Sequence, residues 1–131
     1  MRRIIVLVSV ILISFFGCKG LSTQKDIANV PVSSAIELVD NTSKLQLIDV
    51  RTPEEYQAGH LEGAANIDFF SDSFRAEIEK LDKHKPVLVY CKSGGRSSKS
   101  AAIFKELGFT KIYNMEGGIT SWNEAGYKTV K

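Results

Sequence analysis

Apolar positions along the chain fall into short blocks separated by polar, helix-forming stretches. Leu45 to Val50 has Leu45, Leu47, Ile48 and Val50 as core candidates, and Val87 to Tyr90 is wholly apolar, the pattern of a short strand buried on both faces. Ile27 to Val30, Ala64 to Ile67 and Lys111 to Asn114 are further strand candidates. Between them lie helical patterns. Ser34-Ala-Ile-Glu37 reads as a capping box that opens a helix to about Val39. Thr52-Pro53-Glu54-Glu55 is a second start, with Thr52 as cap, Pro53 in the first turn and Gly59 as the stop. Phe74, Ile78 and Leu81 recur at helical spacing and should face the core. Ser97 to Leu107 is a longer helix, with Gly108 as its left-handed stop and Phe109 placed to fold back on Phe104. Gly118 to Ala125 closes the chain with Ile119 and Trp122 inward. Strands alternating with helices at this spacing predict an α/β fold, a parallel sheet flanked by helices on both faces.

Composition divides the chain. Met1 carries Arg2 and Arg3 beside it, then an apolar run from Ile4 to Phe16 broken only by Ser9 and Ser14. That run suits a signal segment better than a membrane span. It ends at Gly17-Cys18 and turns polar. The pattern resembles a bacterial lipoprotein signal, with Phe15-Phe16 where Leu and a small residue are usual. Residues 1–17 are therefore expected to be a signal peptide, Cys18 the lipidated residue, 18–26 a short polar tether and 27–131 one domain. The protein is expected to be exported and membrane-anchored, facing the periplasm or cell exterior, with a soluble periplasmic form as the alternative. The net charge of +2 comes from 17 Lys and Arg against 15 Asp and Glu. Arg2 and Arg3 account for that surplus, so no basic excess is left in the domain to bind nucleic acid.

The chain has two cysteines, Cys18 and Cys91. With Cys18 lipidated, Cys91 is a lone thiol in an oxidising compartment, a liability unless it is used. Two cysteines and two histidines, widely spaced, are too few for a zinc site, and no cofactor or metal is called for. Cys91 stands at the end of the most apolar strand candidate, where ligands bind in parallel α/β sheets. Lys92-Ser93-Gly94-Gly95-Arg96-Ser97 follows. The two glycines let the backbone curl tightly, and a helix begins at once. The loop amides and helix N-terminus direct positive charge at one point, which holds an anion or stabilises a thiolate. Lys92 and Arg96 add donors for an oxyanion. His60 reads as structural and His84 as solvated.

Three stretches together resemble the rhodanese (sulfurtransferase) family. They are Leu47-Ile-Asp-Val-Arg-Thr-Pro-Glu-Glu-Tyr56 with Gly59-His-Leu-Glu-Gly-Ala-Ala-Asn-Ile67, the loop Cys91-Lys-Ser-Gly-Gly-Arg96 with Ser97, and Gly117-Gly-Ile-Thr-Ser-Trp122 with Gly126-Tyr127. The resemblance implies a five-stranded parallel sheet and a sulfane sulfur carried on Cys91 as a persulfide. It makes Lys92, Ser93, Gly94, Gly95, Arg96 and Ser97 the substrate-binding loop, thiosulfate a plausible donor, and cyanide or a thiol the acceptor. Asp49 and Arg51 match the family's Asp-Val-Arg element; Arg51 either lines the site or forms a salt bridge with Glu55 or another nearby acid. A non-enzymatic persulfide carrier or protein-docking module needs the same cysteine and stays open as an alternative. A phosphatase of related fold would have five residues between cysteine and arginine, against the four between Cys91 and Arg96.

Overall fold

The computed structural model describes residues 27–131; the expectations placed on residues 1–26, including the signal peptide and Cys18, lie outside the described residues. The elements run β1 (Ala28–Val30), α1 (Val32–Asn41), β2 (Gln46–Asp49), α2 (Pro53–Ala58), β3 (Ala65–Asn66), α3 (Phe74–Glu79), β4 (Val87–Tyr90), α4 (Gly95–Glu106), β5 (Ile112–Met115) and α5 (Gly118–Glu124). All strand pairs are parallel, in the order β1-β5-β4-β2-β3.

Alternation along β4 sorts the two cores. Val87, Val89 and Cys91 lie on one side with Phe74 and Ile78 of α3 and Ala101 and Phe104 of α4. Leu88 and Tyr90 lie on the other with Ala35 of α1 and Ile119 and Trp122 of α5. A strand covered on both faces needs apolar side chains at every position, which is why its sequence shows no polar alternation. The chain moves outward from β2 to β3, returns to β4, and continues outward through β5 to the other side. The carboxyl ends of β2 and β4 therefore flank the point where the sheet's winding reverses. Crevices at such points accept ligands, because the loops on either side diverge to opposite faces.

Several local expectations hold. Thr52 Oγ1 accepts from the Glu55 amide while Glu55 reaches back to the Thr52 amide, forming the capping box of α2. Gly108 is left-handed (φ 92°), and the Phe109 ring meets Phe104 edge-on at 4.8 Å. The box at Ser34 does not form. Helix α1 begins two residues earlier, at Val32, because Pro31 ends β1 in an extended conformation and its carbonyl accepts the Ser34 and Ala35 amides. The helix then runs past Val39 to Asn41. Strand β5 is displaced by one residue from its expected span, and β3 is shortened to two residues.

Candidate active site

Cys91 follows β4 directly and is 1% exposed. Its Sγ accepts the Gly94 amide at 3.0 Å, and its thiol donates to Ser97 Oγ at 3.4 Å. Ser97 in turn donates to the Gly94 carbonyl. Gly94 makes this possible. Its φ of 119° turns the chain back over the sulfur, a conformation that costs little only where there is no Cβ. The same turn makes Gly94 the cap of α4, so that helix opens at Gly95, two residues ahead of the expected Ser97. Burial pushes the Cys91 thiol up, but the Ser97 hydroxyl and the amides of Ser97, Gly94 and Ser93 outweigh it and hold the thiol below its ordinary value. When the sulfur ionises, the Ser97 hydroxyl can turn to donate to it.

The bowl is braced from behind by α5. The amides of Ile119 and Thr120 donate to the carbonyls of Cys91 and Lys92 at 2.9 and 3.1 Å. With those carbonyls held outward, the loop amides remain turned toward Sγ. Gly118 permits the contact: a Cβ there would stand 2.4 Å from the Cys91 carbonyl oxygen and 2.5 Å from that of Lys92. Lys92, Ser93 and Gly95 are exposed, whereas Gly94 and Arg96 are half-buried.

Asp49 and Arg51 are brought near the loop but do not line it. Asp49 is fully buried and accepts from the Arg51 amide and guanidinium and from the Tyr90 hydroxyl at 2.6 Å. Arg51 also donates to the Gly59 carbonyl. The partner of Arg51 is thus Asp49, the other nearby acid, rather than Glu55, and both oxygens of the buried Asp49 carboxylate are hydrogen-bonded. Burial works against the Arg51 charge, but Asp49 outweighs it and raises its pKa; burial and Asp49 both push the Tyr90 hydroxyl far up, so it stays neutral. His60 is structural: its Nδ1 lies 2.9 Å from the Tyr56 carbonyl and its ring stacks on Tyr56 at 3.7 Å. His84 is exposed. No cluster of metal-ligating side chains occurs among the described residues.

The family model for the rhodanese-like domain matches residues 33–125. The chain belongs to the rhodanese-like domain family. Thiosulfate sulfurtransferase GlpE of Pseudoalteromonas translucida is 34% identical over 104 residues, covering 76% of this chain and 90% of that protein. YqhL of Bacillus subtilis is 39% identical over 79 residues, 60% of this chain, and the match spans 61% of YqhL's own length. Among solved structures, the polysulfide-sulfur transferase homodimer of Wolinella succinogenes superposes with a TM-score of 0.68 at 29% identity, covering 82% of this chain and 81% of that one.

Within this rhodanese-like domain, three site residues escape a reading of the sequence. Gly118 is one; the doubled glycine at 117–118 was its signal. Glu55 is the second. Beyond capping α2, its carboxylate takes both terminal nitrogens of Arg96 end-on, at 2.7 and 3.0 Å. Arg96 is therefore on the loop as expected, yet the fork that would grip a donor's anionic end is occupied. The third is Phe70, 67% exposed, whose ring lies 5.8 Å from the Arg96 guanidinium carbon. Glu55 and Phe70 thus both meet the Arg96 side chain, which spans from α4 to α2. On the other side of the loop is an open cleft of about 460 Å³. Asn29, Ser98, Asn114 and Glu116 form its walls with the backbone of Ser93 to Gly95.

Proposed function

We propose that the domain is a sulfurtransferase in which Cys91 carries a sulfane sulfur. The observation that supports this best is a buried Sγ held by the amides of its own loop and by Ser97, with the thiol pKa lowered. The Cys91 thiolate attacks the outer sulfur of a donor such as thiosulfate. An S–S bond forms as the donor's own S–S bond breaks, and sulfite leaves with the electron pair. The terminal sulfur of Cys91–S–S⁻ then sits among N–H donors that favour its charge. An acceptor, cyanide or a thiolate, attacks that terminal sulfur and Cys91 departs as thiolate. Lowering the thiol pKa enlarges the ionised fraction of the attacking sulfur and so lessens the need for an external base.

Intact-mass spectrometry of the domain before and after donor tests the reading. One added sulfur mapping to Cys91, discharged by cyanide, is expected; Cys91→Ser should gain none while unfolding at an unchanged denaturant midpoint. Absence of any added sulfur from every sulfane donor would overturn the reading. Continuous turnover with cyanide marks an enzyme, and loading without turnover marks a carrier. The sequence of residues 1–18 supports a lipid-tethered, exported protein, and metabolic labelling with palmitate should be lost in Cys18→Ser.

A further inference from the structure

The crevice beside the sulfur contains one arginine, and that arginine is already matched to a carboxylate. Arg96 precedes Ser97, whose hydroxyl touches Sγ, and its guanidinium is close enough to Cys91 for the sulfur's charge to act on it. Its end-on fork is the shape that grips a sulfonate as readily as a carboxylate. Glu55 fills that fork, and Glu55 is itself fixed by the Thr52 amide and hydroxyl. Phe70 lies against the guanidinium as well. The other arginine near the loop, Arg51, is locked on buried Asp49. On the opposite side of the loop, the cleft wall contributes the carboxylate of Glu116 and no cation. Lys92, exposed on the loop, and Lys99, exposed on the helix that follows it, have no carboxylate within salt-bridge distance among the described residues. Both arginines near this sulfur are matched to carboxylates, so neither guanidinium is free to meet a doubly negative donor.

We propose that Glu55 is a specificity-determining residue: by occupying Arg96 it turns the site away from dianionic donors such as thiosulfate and toward persulfides with uncharged organic tails. This rests on the persulfide reading above. In the favoured step the Cys91 thiolate attacks the outer sulfur of R–S–SH. The new S–S bond forms as the old one breaks, RS⁻ leaves with the electron pair, and the proton stays on the transferred sulfur or passes to the leaving thiolate.

The test measures the rate of Cys91 loading from thiosulfate and from 2-hydroxyethyl persulfide, in the wild-type chain, Glu55→Gln, and Glu55→Gln with Arg96→Gln. Glutamine at position 55 still serves the capping box, so α2 keeps its start. Glu55→Gln should shift the loading ratio about ten-fold toward thiosulfate, the effect of freeing one charge-assisted grip. The added Arg96→Gln should abolish that shift. A merely structural role would slow both donors together and leave their ratio where it was, and that result would overturn the proposal. So would a gain for thiosulfate that survives removal of Arg96. If neither donor loads any of the three proteins, the persulfide reading falls along with it; loading from both donors at an unshifted ratio sinks the assignment to Glu55 alone.

Discussion

Ser97 is completely buried, and its hydroxyl has two neighbours, the sulfur of Cys91 and the carbonyl of Gly94. Its removal therefore tests the thiolate directly. In Ser97→Ala the thiol pKa should rise, and iodoacetamide alkylation at pH 7 should slow about five-fold, the effect of one lost hydrogen bond to the ionised form. The pH midpoint of alkylation, below the ordinary thiol value in the wild-type chain, should move upward in the variant; an unmoved midpoint would show that the amides alone hold the charge. The role of Cys91 was legible because its neighbours are sequence neighbours: strand, glycines and helix start all lie within a few positions. Glu55 was legible as a local cap and as one candidate partner for Arg51, but not as the partner of Arg96. Its bond to Arg96 joins residues 41 positions apart and appears only when the parallel pairing of β2 with β4 sets the two helix starts side by side.

Among elements, the contact between α5 and the sulfur loop is the least forgiving. In Gly118→Ala the new methyl meets backbone oxygens, so no rotamer change can relieve it. The variant should lose about 1–3 kcal/mol of stability, read from the urea midpoint. Hydrogen exchange at the Gly94 amide should quicken as the loop shifts. The order and type of the elements were legible because short apolar-rich blocks, continuous only at β4, alternate with stretches that have helix starts and stops. Boundaries were less legible where a single backbone group decides them. Pro31's carbonyl starts α1 ahead of Ser34, and the left-handed turn at Gly94 starts α4 ahead of Ser97. A side-chain capping signal cannot compete where a backbone turn has already begun the helix.

For the whole molecule, the Glu55–Arg96 pair connects the two halves of the sheet across its reversal point. Arg96 is the chief reason that Glu55 is held down to about 2, against an ordinary value of 4.5. A carboxylate whose pKa is depressed by folding stabilises the fold above its unfolded value and loses that contribution as the pH falls through its folded value. Between pH 4.5 and 2 the wild-type chain should therefore lose stability more steeply than Glu55→Gln, as measured by denaturant midpoints at stepped pH. Equal slopes would show that the pair contributes nothing to the fold in solution, as many partly exposed pairs do.

Cys91 stands at the end of the central strand of the sheet, one residue beyond four that are wholly buried. A sulfur mounted there does not travel. Carriers that swing a reactive group on a long arm can serve partners of almost any shape; this site has no arm, and its reach is that of a single S–S bond from a buried sulfur. A small thiol can enter by itself. A protein receiving sulfur from Cys91 must bring its own nucleophile on a protruding loop or tail, because a thiol lying flush in a folded surface would stop short of the bowl.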